Sequence, residues 1–170
     1  LIADGCVLIS QHADTTGAPT ACEAKKVPCV GYNIDMIPTA PDAALTSATI
    51  NWGPYYTYAV QSVIEGTAID TDWSKGVKDG ADAITELNDK TVAKGTKEKV
   101  EEAQKGIEDG TIHVFDTSKF TVGGKTLEEL VESGDEDATK LQSYIKDGYF
   151  HESDVESGMP SAPAFTFIID

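Results

Sequence analysis

Short apolar runs alternate with amphipathic stretches along the chain, and their order predicts a parallel α/β unit. Cys6-Val7-Leu8-Ile9-Ser10 is too brief for a helix and lies between Gly5 and polar residues, so it reads as a buried strand. Thr15 to Lys26 can form a short helix, with Thr15 or Thr16 as N-cap and Pro19 tolerated in the first turn. Val27-Pro28-Cys29-Val30-Gly31-Tyr32 is a second strand. Strand, helix and strand in this order make a βαβ unit with a right-handed crossover. Pro38 and Pro41 make Met36 to Ala43 a loop, and Ala44 to Asn51 reads as a third strand. Pro54 then opens an amphipathic helix to about Glu65, ended by Gly66, with Tyr55, Ala59, Val60 and Val63 on one face.

Farther on, residues 67 to 75 read as loop and Gly80 to Thr85 as a strand. Lys97 to Gly110 is the clearest helix, with Val100, Ala103, Gln104 and Ile107 on one side and charges on the other. Ile112-His113-Val114-Phe115 predicts another short strand. From about residue 121 the composition shifts: 3 Lys face 11 acids, half of the net charge. Thr126 to Val131 and Asp137 to Lys146 read as helices, His151 to Pro163 as a mobile loop, and Ala164 to Ile169 as a closing strand. The expected division is an α/β domain over residues 1–120 and an acidic extension over 121–170.

Length and composition bound this picture. The 170 residues, 40% of them hydrophobic, suit an ordinary globular chain that buries roughly 70% of its unfolded surface. The longest apolar runs fall far short of the ~18 residues a membrane span needs. All 13 basic residues are Lys, against 29 acids, for a net charge of −16. Such a surface repels nucleic acid and anionic lipid. It also provides no bidentate guanidinium clamp for phosphate or carboxylate. A neutral or weakly polar small ligand fits that inventory better. Cys6, Cys22 and Cys29 are an odd number without zinc-type spacing. Structural thiols are the first reading and one disulfide the second. The opening Leu1 to Gly5 resembles the last turn of a helix, and the chain ends inside an apolar run. A fragment trimmed at both ends is therefore the expectation.

In parallel α/β sheets, ligands bind where loops leave the carboxyl ends of strands. Gln11, His12 and Asp14 follow the first strand, Asn33 and Asp35 the second, and Asn51 and Trp52 the third. Together they offer amide, imidazole, carboxylate and indole groups for a flat, hydroxylated, uncharged molecule. Each also has a structural reading: Asp14 as a helix N-cap, Trp52 as a core plug, His12 as a loop hydrogen-bonder. No metal-ligand spacing, nucleophile elbow, P-loop or dinucleotide fingerprint occurs, and no cofactor is expected. Gly123-Gly124-Lys125-Thr126 lacks the upstream glycine of a P-loop, and Gly76 to Gly80 reads as a turn. The residues by themselves favour a non-enzymatic α/β ligand-binding lobe.

Several segments together resemble the basic membrane protein (Bmp/Med) family of ABC-transporter solute-binding lipoproteins, related to purine nucleoside receptors. They are Gln11-His12-Ala13-Asp14, Gly31-Tyr32-Asn33-Ile34-Asp35-Met36, Ala40-Pro41-Asp42, Leu45-Thr46-Ser47, Asn51-Trp52-Gly53-Pro54-Tyr55-Tyr56 and Gly76-Val77-Lys78-Asp79-Gly80. The resemblance covers residues 1 to about 116 and implies a type I periplasmic-binding-protein-like, Rossmann-like fold closing on its ligand as a hinge. It implies that this chain is mostly the second lobe, with a part returning to a first lobe, and that a lipid anchor precedes Leu1. Extracytoplasmic location, a purine nucleoside or base as ligand, and ABC permease subunits as partners follow from the same resemblance. The sequence departs from the nucleoside receptors at two positions. Asn33 stands where they carry the first Asp of a G-x-D-x-D stretch, and Ile50 where they tend to carry Lys. Two other functions remain open at this point. One is a hydrolase or lyase acting on a nucleoside-like substrate through Asp14 or Asp35 with His12. The other is a surface interaction domain binding a protein through the acidic extension.

Overall fold

Three of the apolar runs pair side by side as the βαβ pattern requires. The computed structural model describes residues 1–151 and 165–170. Strands β1 (Ile9–Ser10), β2 (Cys29–Tyr32) and β3 (Ala44–Ile50) are parallel, and β4 (Asp82–Ile84) adds antiparallel to β3, in the order β1-β2-β3-β4. Helix α1 (Gly17–Lys25) joins β1 to β2, and α2 (Gly53–Glu65) follows β3. α3 (Thr96–Asp109) comes after β4. The mixed α/β architecture with a mostly parallel sheet agrees with the sequence expectation. The chain divides into two units, Leu1–Thr67 with Lys75–Glu108, and Ala68–Ser74 with Asp109–Asp170.

The first unit gathers its buried apolar core around β2 and the start of β3. Ile9, Cys22, Cys29, Met36, Ala40, Ala43 and Ala44 form the buried cluster. The Pro-rich loop 36–43 is thus loop by backbone but core by burial. Its turns are closed by bonds from Thr39 N and Ala40 N to Met36 O, and from Ala44 N to Ala40 O at 2.8 Å. Asn88 Nδ2 donates to Pro41 O and Ala44 O, pinning the loop to the start of β3.

Three expectations need correction in this unit and its flanks. β1 is only Ile9–Ser10, and Val7 and Leu8 stay exposed, because β1 is the outermost strand of the sheet with a single partner. α2 is rotated from the expected face. Tyr55, Tyr58 and Ala59 are half-buried and Ser62 is buried, whereas Val60 and Val63 are exposed. Its rotation follows the tight turn at Asn51–Gly53, where Asn51 Oδ1 accepts from Gly53 N at 3.1 Å. Ile112 to Phe115 forms no strand; the pairing moves to an isolated bridge between Asp116 and Tyr149. α3, by contrast, turns its expected stripe of Val100, Ala103, Gln104 and Ile107 to a groove of about 460 Å³ shared with Val77, Ala83 and Ile84.

In the second unit, the helix expected over Asp137 to Lys146 is shorter. α4 (Leu127–Glu132) and α5 (Glu136–Leu141) are followed by a hairpin of β5 (Ile145–Lys146) and β6 (Tyr149–Phe150). Asp147 and Gly148 supply the left-handed pair, φ 54° and 82°, that a two-residue hairpin turn of this hand demands. Thr126 and Glu129 form a reciprocal cap at the start of α4. Leu141, Tyr144 and Phe150 are buried, with Phe115, Phe165 and Phe167 packed against them. Residues 165–170 join no ladder among the described residues, and Phe165 and Phe167 are the half-buried ones. The loop expected over His151 to Pro163 lies, beyond His151, outside the described residues, as does Ala164. Among the described residues no helix is long and apolar enough to cross a membrane.

Gly31 lies in the middle of β2 and faces β3. A Cβ added there would collide with Ser47 Oγ and meet Met36 Cβ at 2.9 Å. Gly31→Ala is expected to destabilise the protein by about 1–3 kcal/mol through overpacking, read as a lower urea midpoint at unchanged slope. In the second unit, bonds from Ser118 Oγ, the Lys119 ammonium and Ser118 N lower the Asp116 carboxyl from 3.8 to about 2. Its contribution to stability is present above pH 3.8 and is lost as pH falls through about 2. A carboxyl NMR titration of Asp116 with a midpoint near 3.8 would show that this cap is not formed.

Candidate functional site

Because β1, β2 and β3 are parallel, the chain leaves all three at one edge of the sheet. Gln11 follows β1. Its N–H donates to Val30 O at 3.3 Å and its Nε2 to Thr15 O at 3.0 Å, folding the loop onto itself. Gln11 Oε1 is buried with no hydrogen-bond partner among the described residues. His12 is exposed and has no hydrogen-bond partner among the described residues, so no His12–carboxylate pair is assembled.

Asn33 is the residue that ties the edge together. It adopts φ 70°, in the left-handed region that Asn tolerates better than most residues. Its N–H donates to Ala48 O at 2.6 Å, and its carbonyl accepts from Thr49 Oγ1 at 2.7 Å. With the backbone held on both sides, Nδ2 reaches across to donate to Asp14 Oδ1 at 3.3 Å. The loops after β1 and β2 are thereby joined through two of the predicted site residues. Both line a cavity of about 220 Å³, together with Thr15, Thr16, Tyr32, Ile34 and Met36.

The remaining expected residues divide differently. Asp35 Oδ1 accepts from Ile37 N at 2.9 Å, so that oxygen closes the turn into the buried loop. Asn51 uses both ends of its amide on backbone: Nδ2 donates to Gly80 O at 2.9 Å, and Oδ1 accepts from Gly53 N. Trp52 is 54% exposed rather than a core plug, and its ring stacks on Tyr56 with centroids 6.2 Å apart. Tyr55 meets Trp52 edge-on at 6.4 Å, extending an aromatic surface along the first turn of α2. Gln11, His12, Asp35, Asn51 and Trp52 do not line the 220 Å³ cavity. Thr15, Thr16, Tyr32 and Ile34 do, and none of the four is among the expected ligand-binding residues, although Thr15 and Ile34 lie in the same loops. Tyr32 and Ile34 flank Asn33, and period-two alternation alone would have placed them on the face opposite to it.

Comparisons with known proteins bear on the family and the fold. Residues 1–116 match the Bmp family, described as ABC transporter substrate-binding protein PnrA-like. The chain belongs to that family. A relative among curated proteins, a purine-binding protein of Brucella abortus (strain 2308), is 30% identical over 115 residues, 68% of this chain. Those residues span 32% of the relative, about a third of its length. Among solved structures, a transcriptional activator of the comK gene from Bacillus halodurans matches 66% of this chain and 40% of its own, with TM-score 0.57 and 15% identity. That likeness concerns the fold. An ABC transporter solute-binding protein from Conexibacter woesei DSM 14684 covers 66% of this chain and 38% of its own, with TM-score 0.49 and 16% identity.

Two substitutions separate the roles of Asn33. Asn33→Gly and Asn33→Ala both remove the bond to Asp14, but only Ala also meets the left-handed backbone penalty. Asn33→Ala is expected to unfold at a free energy about 1 kcal/mol lower than Asn33→Gly in urea titrations. Equal stabilities would mean that the left-handed geometry at Asn33 is absent in solution.

Proposed function

We propose that this chain forms part of the ligand cleft of an extracytoplasmic ABC-transporter solute receptor that captures a purine nucleoside or purine base by lobe closure. The observation that carries the reading is the cross-loop bond between Asn33 and Asp14 at the carboxyl edge of the sheet, beside an open cavity. Sites that bury a whole small ligand hold roughly 300–1,000 Å³. A cavity of about 220 Å³ suits one wall of a cleft whose other wall lies elsewhere. The purine class is carried over from the relative that bears that description. Its fit to this chain rests on chemistry: Asp14 and Asn33 offer an acceptor and an amide to ring edges or sugar hydroxyls, and exposed Trp52 offers a stacking face. Asn33 in place of a carboxylate weakens the hold on hydroxyls, since a charge-assisted bond becomes a neutral one. Free bases then compete better against nucleosides. The ligand-binding residues proposed are Gln11, His12, Asp14, Asn33, Asp35, Asn51 and Trp52, with Asp35 and Asn51 acting mainly through the turns they close. Permease subunits of the transporter are the partners, and a lipid anchor holds the receptor at the membrane.

Thermal denaturation of the full-length gene product with purine and pyrimidine nucleosides, free bases, sugars and amino acids tests this reading. Ligand at ~100 times its dissociation constant adds about 2.7 kcal/mol to the binding state, enough to raise Tm by several degrees. A shift with purines alone, the ligand being recovered unchanged, is the expected result. Trp52→Ala is expected to weaken binding roughly 5- to 150-fold, since stacking contributes about 1–3 kcal/mol. No shift with any purine would overturn the ligand class, and a cleaved purine nucleoside would overturn the receptor in favour of a hydrolase.

A further inference from the structure

Cys22 and Cys29 are neighbours in space, although six residues separate them along the chain. Cys22 lies in the last turns of α1, and Cys29 is the first residue of β2. Lys26 closes α1 with φ 55°, and Val27 N donates to Cys22 O at 3.0 Å, turning the chain back on itself. Both cysteines are 1% exposed and belong to the same buried cluster, with the Cys22 thiol close enough to act on that of Cys29. By contrast Cys6 is exposed and stands apart from that cluster. Burial, with the adjoining Cys22 thiol, pushes Cys29 up to about 11. A thiol so protonated and so enclosed is a poor nucleophile once the core has closed.

We propose that Cys22 and Cys29 form a disulfide that is made during folding, before the core closes, and that clips α1 to the start of β2. Its occurrence in the cell rests on the extracytoplasmic reading above, because disulfides persist in oxidising compartments. The chemistry is thiol–disulfide exchange with an external disulfide. The thiolate of one cysteine attacks that disulfide and releases one thiol. The second cysteine, deprotonated in turn, attacks the mixed disulfide and releases the other. Both protons end on the released thiols, the cysteine pair is oxidised by two electrons, and the external disulfide is reduced by two. The location serves the binding edge. β2 leads directly to Asn33, and α1 follows the loop that carries Asp14. A clip at the opposite end of both elements fixes their relative position.

The test is refolding of the reduced, denatured full-length gene product in a mixture of reduced and oxidised glutathione. Alkylation under denaturing conditions and a non-reducing peptide map then follow. The expected result is a Cys22–Cys29 linked peptide with Cys6 alkylated, and a Tm roughly 5–10 °C above that of the same protein refolded with reductant alone. Protein refolded to its native circular dichroism with Cys22 and Cys29 both alkylated would overturn the proposal, as would Cys6 linked to either one. If refolding fails, the same map on protein recovered after export to a bacterial periplasm decides between the linked and the alkylated pair. The purine thermal-shift panel is a separate readout. A linked pair without a purine shift spares the disulfide and removes the ligand class, and free thiols with a purine shift do the reverse.

Discussion

The close approach of β2 to β3 at Gly31 is the constraint on which the first unit depends. A hydrogen atom at that position lets Ser47 and Met36 close over the strand, and Ser47 Oγ then accepts from Met36 N at 3.3 Å. With that contact made, Met36 can bury itself at 2% exposure and carry the Pro-rich loop into the core. The parallel register that pairs Gly31 with Ser47 also pairs Tyr32 with Ala48. Asn33 therefore emerges beside Thr49, where its backbone is held on both sides. Packing at one glycine and placement of one site residue are consequences of the same register.

The polar residues at this edge serve two different purposes. Asp35 and Asn51 bond to backbone groups and shape the turns, while Asn33 and Asp14 bond to each other across loops beside the cavity. Buried or confined backbone groups must find partners, and a short side chain next to a tight turn is the nearest supply. An edge rich in Asn and Asp is for that reason partly scaffold. The exposed aromatic surface of Trp52 and Tyr56 is the counterpart of that economy, since neither ring is used to fill the core.

The second unit is held by aromatic packing. Phe115 lies 5.2 Å from Phe165 and 5.7 Å from Phe150, ring centroid to centroid, and Tyr144 stacks on Phe150. Its helices are short, and they begin with side-chain caps at Thr126 and Asp135 that satisfy the first free N–H groups. Among the described residues of this part of the chain, Glu128, Glu129, Glu136 and Asp137 lie exposed in the first turns of α4 and α5, where negative charge is tolerated.

Much of the first unit was legible because its signals are local. Short apolar runs bounded by Gly and Pro specify strands, and Pro54 and Gly66 bracket α2 in chain order. The run Asn51-Trp52-Gly53-Pro54-Tyr55-Tyr56, with the other quoted segments, was enough for the family. The Asp147-Gly148 turn is equally local, yet the strand just before it, Ile145–Lys146, reads as the end of a helix because the polar run from Asp137 continues the helical composition. Other features needed the tertiary structure. Whether Asn51 is a ligand residue or a turn residue depends on a carbonyl 29 positions away, at Gly80. Whether Val60 or Ser62 faces inward depends on how the chain leaves β3. The bond between Asn33 and Asp14, and the burial of Cys22 and Cys29 in one cluster, follow from the register of two strands and the hand of one crossover. In the first unit the sequence by itself determined which segments are strand and helix, since backbone propensity and hydrophobic period act over a few residues. Only the tertiary structure decided which polar and thiol groups meet, because those contacts join residues that the chain's own geometry leaves apart.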